Sequence, residues 1–202
     1  ECGASGAADV ILDAQGNVIE VICYGQDVVV ETVTLDQVDS VSAGNNTVLV
    51  LDAEDDGVDV QGDLTMEGNN AVVYGAGPDS SVIGGTLDIQ KNDAVIRGVR
   101  IKGDVTITKN NTKLVFCVIE GDLTITGNNT TLAECDVYGK VTITGLNTVL
   151  VQNRIQGVNE VAGFNLECND NFRFDDEDEN FSVSDEELGG AVKCSDAEGS
   201  PE

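Results

Sequence analysis

The chain contains no histidine and no tryptophan, and only 4% of its 202 residues are aromatic. Lys and Arg together number 10 against 37 Asp and Glu, for a formal net charge of -27. Each shortage excludes something. Without histidine there is no Ser-His or Cys-His nucleophile system. So few bases leave no clustered cation to bind phosphate, so neither nucleic acid nor an anionic membrane surface is an expected partner. Cations and basic partner surfaces remain, and solubility, in salt or otherwise, is the plainest use of the charge. No run approaches the ~18 apolar residues of a membrane span. The six cysteines include no CxxC pair, so disulfides outside the cytosol are expected rather than zinc. The start at Glu1, with neither Met nor a signal peptide, reads as a mature, processed, secreted chain. There is no GxSxG, no P-loop and no dinucleotide fingerprint.

What is present is β-branched and turn-forming. Apolar residues make up 41%, chiefly Val, Ile and Leu, beside 23 glycines. Such a mixture suits thin, repetitive β-structure with closely spaced turns. Four segments align without gaps at one constant spacing: GTLDIQKND from Gly85, GDVTITKNN from Gly103, GDLTITGNN from Gly121 and GKVTITGLN from Gly139. A fainter copy starts at Gly157, and an earlier one, GDLTMEGNN, starts at Gly62. Leu123 and Ile125 alternate with Asp122, Thr124 and Thr126, the period-two pattern of a strand with one buried side. A single repeat is too short to make a core alone, but stacked coils do. Ile96, Leu114, Leu132 and Leu150 form one inward column, and Ile101, Ile119, Val137 and Ile155 another. The fold expected is an all-β, single-stranded parallel β-solenoid (β-helix) of roughly seven turns between terminal caps.

Asn46, Asn70, Asp93, Asn111, Asn129 and Asn147 fall in one register, with Asn165 after them. Asn tolerates the left-handed turn conformation; an asparagine ladder, amide to amide from coil to coil, is the sharper expectation. These GDLTITGNN-type coils and the Asn column resemble the secreted parallel β-helix proteins of pectate-lyase-like architecture, over roughly Val38 to Cys168. The resemblance implies a right-handed coil, although left-handed solenoids also use turns of this length. It implies no one function, since the architecture serves lyases, adhesins, tailspikes and structural proteins.

Three regions follow: an N-terminal cap with an irregular first coil (1–37), the solenoid (38–168), and an acidic, Phe-containing tail or cap (169–202). Insertions near Ala53–Gly57 and Gly75–Asp79 are expected to protrude from one corner. No cofactor is expected. Asp52, Glu54, Asp55, Asp56 and Asp79 are the only suggestion of a Ca²⁺ site, and a solvated acidic loop is the simpler reading. Locality pairs Cys2 with Cys23, Cys117 with Cys135 and Cys168 with Cys194. For the central pair the rival is two stacked, buried thiols.

Carboxylates are too abundant for any pair to single out a catalytic site, and a non-enzymatic role is expected. Residues 1–90 hold no Lys or Arg, whereas Arg97, Arg100 and Lys102 lie close together in sequence. With Phe172, Phe174 and Phe181 of the tail, they are candidates for self-association. Solenoid ends are sheet templates, so heterologous stacking into a homopolymer, an extracellular fibre or surface layer, is the leading expectation. The alternative rests on Thr106 and Thr108, Thr124 and Thr126, and Thr142 and Thr144, a TxT array for ice or glycan. Thr is also simply a good exposed strand former. Sequons at Asn45, Asn110, Asn128, Asn129 and Asn180 mostly coincide with the repeated turn.

Overall fold

A computed structural model describes residues 37–51 and 57–161 continuously, together with the strands Ala8–Leu12, Val18–Cys23, Val29–Val33, Leu166–Asn169, Phe172–Arg173, Phe181–Ser182 and Val192–Cys194. The chain is an all-β parallel solenoid. Each coil contributes one short strand to each of three faces. The first face stacks Val41–Ala43, Leu64–Met66, Leu87–Ile89, Val105–Ile107 and Leu123–Ile125, then the latter half of Asp136–Ile143. The second runs from Val29–Val33 through Thr47–Leu51, Val72–Gly75, Val95–Arg97, Lys113–Val115, Thr131–Ala133, Val149–Val151 and Leu166–Asn169 to Val192–Cys194. The third stacks Gln37–Val38, Asp59–Val60, Val82–Ile83, Arg100–Ile101 and Val118–Ile119, then the first halves of Asp136–Ile143 and Arg154–Val161, then Phe172–Arg173. First and third faces form one 14-stranded sheet because the two eight-residue strands run unbroken around their shared corner.

Register follows the repeat. Thr106 lies opposite Thr124 and Leu114 opposite Leu132, each one period on. The expected inward columns are the core. Ile96, Leu114 and Leu132 have no exposed surface, nor do Ile101, Ile119 and Val137. The first face adds Leu87 and Ile89, Val105 and Ile107, and Leu123 and Ile125, all fully buried. No coil has a core without its neighbours, so stability accrues along the stack.

The second face holds nine strands, two more than the seven coils expected. One surplus strand, Val29–Val33, lies ahead of the clean repeat, and the other, Val192–Cys194, returns from beyond it to pair with Leu166–Cys168. Phe172–Arg173 extends the third face and pairs antiparallel with Phe181–Ser182. The backbone ladder thus continues where sequence periodicity has stopped.

Three kinds of corner join the faces. Asn46, Asn70, Asp93, Asn111, Asn129 and Asn147 have φ between 50° and 61°, turning first face into second. The second corner also has a left-handed residue, but of changing identity: Gly57, Gly98, Phe116, Glu134 and Gln152. The third corner needs glycine for closeness. A Cβ at Gly139 would lie 2.1 Å from the Gly121 carbonyl oxygen, and one at Gly121 would lie 2.5 Å from that of Gly103.

Candidate functional site

The asparagine ladder is present as a row of side-chain amides. Asn70 donates to Asn46 at 2.9 Å, Asn111 to Asp93 at 2.8 Å, Asn129 to Asn111 at 3.0 Å and Asn147 to Asn129 at 2.9 Å. Beside it runs a second ladder that the sequence reading missed. The Oδ1 atoms of Asn45, Asn69, Asn92, Asn110 and Asn128 accept from the backbone N–H one coil on, of Asn69, Asn92, Asn110, Asn128 and Leu146. The signal was the doubled Asn-Asn of the repeat. Both ladders are structural. They also occupy the sequons at Asn45, Asn110, Asn128 and Asn129, while Asn180 lies outside the described residues; Thr112 and Thr130, the threonines of the Asn110 and Asn128 sequons, are fully buried.

On the first face the threonines stand in register, with Thr106, Thr124 and Thr142 as successive partners. Thr108, Thr126 and Thr144 are exposed beside them. Part of this array is turned back on the protein: the Thr108 hydroxyl donates to Ile89 O and that of Thr126 to Ile107 O, each at 3.4 Å. The central row continues to Thr65 and Ser42 but is interrupted by Asp88, which accepts from Gln90 at 2.9 Å.

The basic residues do not make one patch. Arg97 belongs to the second face and Arg100 to the third, on either side of the Gly98–Val99 corner, while Lys102 stands exposed at the next corner. Arg100 is held within its own chain. Its guanidinium meets Asp79 at 3.1 Å and Glu120 at 3.2 Å, and Nε donates to Pro78 O at 3.0 Å. Partial burial opposes its charge, but the bonds to Glu120 and Asp79 outweigh this and raise its pKa above the ordinary value. Arg100 therefore pins the Gly75–Asp79 insertion against the third face. Arg154 grips Asp136 with two nitrogens on the same face. Of the Ca²⁺ candidates, Asp79 is paired with Arg100, and Asp52, Glu54, Asp55 and Asp56 lie outside the described residues. Among the described residues no three metal-ligating side chains gather.

The second face is different in character. One outward row runs Val48, Val72, Val95, Lys113, Thr131, Val149, and the other Val50, Tyr74, Arg97, Val115, Ala133, Val151. Seven of these twelve are valine, against the polar first face and the charged third. The sequence carried the signal: VLV, VVY and VIR depart from strict alternation, as strands covered on both sides do.

Cys117 and Cys135 are free, fully buried thiols, which corrects the bridge expected between them. The sulfurs turn along the backbone instead. Sγ of Cys135 lies 3.1 Å from Ala133 O, Sγ of Cys117 lies 3.3 Å from Val115 O, and Cys135 Sγ accepts from the Cys117 N–H at 3.4 Å. Burial pushes the Cys135 thiol well above its ordinary pKa. Both belong to a buried corner column, Ser81, Val99, Cys117, Cys135 and Asn153, whose polar members bond inward to the backbone. Cys168 is the direct strand partner of Cys194. Cys23 pairs with Ala8, while Cys2 lies outside the described residues, as does Phe174. Phe172 and Phe181 lie in strands that pair with each other, Phe172 opposite Ser182 and Phe181 opposite Arg173.

Among the described residues no helix is long and apolar enough to cross a membrane. Comparison with protein-family models, curated proteins and solved structures finds no match to the chain.

Proposed function

We propose that the chain is a non-enzymatic, extracellular structural subunit that self-associates end to end into a fibre or surface layer. The observation that supports this is the open first coil. Val29–Val33, Gln37–Val38 and Val41–Ala43 end their columns, and among the described residues no strand pairs with their outer edges. An in-register parallel edge is a template for another strand. At the other end Phe172–Arg173 and Val192–Cys194 prolong two faces, so the tail belongs to the surface that would meet the next subunit. Such stacking is heterologous and does not close. The role follows the structural members of the pectate-lyase-like architecture rather than its lyases. The pairs Cys2–Cys23 and Cys168–Cys194 belong to the same extracellular reading as bridges.

Ser42 provides the test. Val41 N–H donates to Asp63 O and Ala43 O accepts from Glu67 N–H, both into the following coil. Alternation in a parallel ladder then directs the N–H of Ser42 to the open side. Ser42→Pro removes that donor and leaves the internal ladder intact. The expected result by sedimentation is assembly of the native chain and loss of assembly in the variant at unchanged circular dichroism. Equal assembly of the two would remove edge-to-edge stacking.

A second reading, ice or glycan binding, is favoured by the register of Thr106, Thr124 and Thr142. It requires the monomer to shape ice or retain glycan, and Thr124→Tyr to abolish this.

A further inference from the structure

Five successive coils carry an asparagine in the outer ladder, Asn45, Asn69, Asn92, Asn110 and Asn128, and all five make the same bond through Oδ1. Only the oxygen of an amide can accept from a backbone N–H, so each Nδ2 lies on the other side of its amide. Among the described residues the Nδ2 groups of Asn45, Asn110 and Asn128 have no partner. Asn45 and Asn110 are exposed, and Asn128 is partly so. The neighbouring Asn129 differs, because both ends of its amide are engaged: Nδ2 donates to Asn111 and Oδ1 accepts from Asn147.

Three of the five outer asparagines are followed two residues on by threonine, at Thr47, Thr112 and Thr130, which completes Asn-x-Thr. Asn69 and Asn92 make the same ladder bond with Ala71 and Ala94 in that place, so the ladder does not require the threonine. Nor does packing require it. Ala71 and Ala94 fill the column fully buried, whereas the buried hydroxyls of Thr112 and Thr130 have no partner among the described residues. Such a group costs about 1–3 kcal/mol. Thr148 shares the column behind Leu146, so it is threonine together with an outer asparagine that marks the three sites.

We propose that Asn45, Asn110 and Asn128 are acceptors of N-linked glycans. Nδ2 attacks the anomeric carbon of a lipid-pyrophosphate-linked oligosaccharide. The new C–N bond replaces the C–O bond to pyrophosphate, and the lipid pyrophosphate leaves with the amide proton. Oδ1 is untouched, so the outer ladder survives the modification. Thr112 and Thr130 are buried in the finished coil, so transfer precedes its closure. Asn110 and Asn128 are one coil apart, about 4.8 Å, so one glycan per molecule is expected across that pair. The row follows the corner between first and second faces and leaves the stacking edges bare. The inference rests on the extracellular part of the proposed function and not on assembly.

Peptide mapping of the native full chain tests it, after enzymatic glycan release that turns each acceptor Asn into Asp. The expected result is conversion at Asn45, conversion shared between Asn110 and Asn128, and none at Asn129. Thr112→Val with Thr130→Val should abolish conversion at the pair at unchanged circular dichroism. Ala71→Thr should create it at Asn69, on a rung that lacks only the threonine. An extracellular chain unconverted at all three positions, or converted at Asn129, would overturn the proposal. An unconverted chain recovered only from inside the cell would overturn the extracellular reading with it.

Discussion

At the scale of single residues, one ladder contains its own flaw. Asp93 accepts from Asn111 but, as a carboxylate, has no hydrogen to pass to Asn70. Asp93→Asn restores the missing donor at a left-handed position Asn already occupies in five other coils. It should raise stability by about 0.5–1.5 kcal/mol, read as a higher urea midpoint at unchanged slope; an equal or lower midpoint contradicts the ladder's energetic role. Asp63 makes a pH-dependent contribution. The Thr86 N–H and hydroxyl bond to Asp63 Oδ1 at 2.7 and 3.0 Å, and the backbone bond foremost lowers the carboxyl's pKa below its ordinary 3.8. A depressed folded-state pKa contributes stability above the unfolded value and loses it as pH falls through the folded one. The destabilisation caused by Asp63→Ala should therefore be constant well above the ordinary carboxyl value and shrink as pH falls below it. A difference that does not shrink on acidification contradicts this. Legibility differed between these residues. The Asn column was visible because a left-handed turn and a stacked amide both select Asn. The second corner was hidden because Gly98, Phe116, Glu134 and Gln152 share only a backbone conformation.

At the scale of strands and corners, two constraints dominate: apolar alternation and close approach. Alternation revealed the first-face strands and both inward columns, since a period-two pattern that recurs in every coil leaves one register. It concealed the outward rows of the second face, where the valines look like core. The same repeat suggested that Cys117 and Cys135 would bridge, because one period puts them on adjacent coils. The structure instead uses them as small buried groups in a column with Ser81, Val99 and Asn153. Close approach is testable at the third corner. Gly121→Ala puts a methyl 2.5 Å from the Gly103 backbone, where no flexible side chain can yield. The coils must part, and destabilisation of about 2–4 kcal/mol is expected in a denaturant titration. A loss under about 0.5 kcal/mol would show that the corner has slack.

For the whole molecule, charge opposes the proposed assembly. Two copies each carrying a formal -27 repel one another at low ionic strength. Shortening the Debye length from about 30 Å at 0.01 M to about 3 Å at 1 M removes most of that repulsion. Self-association should therefore strengthen with salt, whereas a basic partner would be released by it. The three faces also fix the form of the product. Nine strands on the second face span about 40 Å along the axis at roughly 4.8 Å each. Electron microscopy of the full chain across this salt range addresses the account most directly. The expected result is unbranched filaments that lengthen with salt and have an axial repeat of about 40 Å, set by the strand spacing. Particles of single-subunit size at every salt and protein concentration would contradict it.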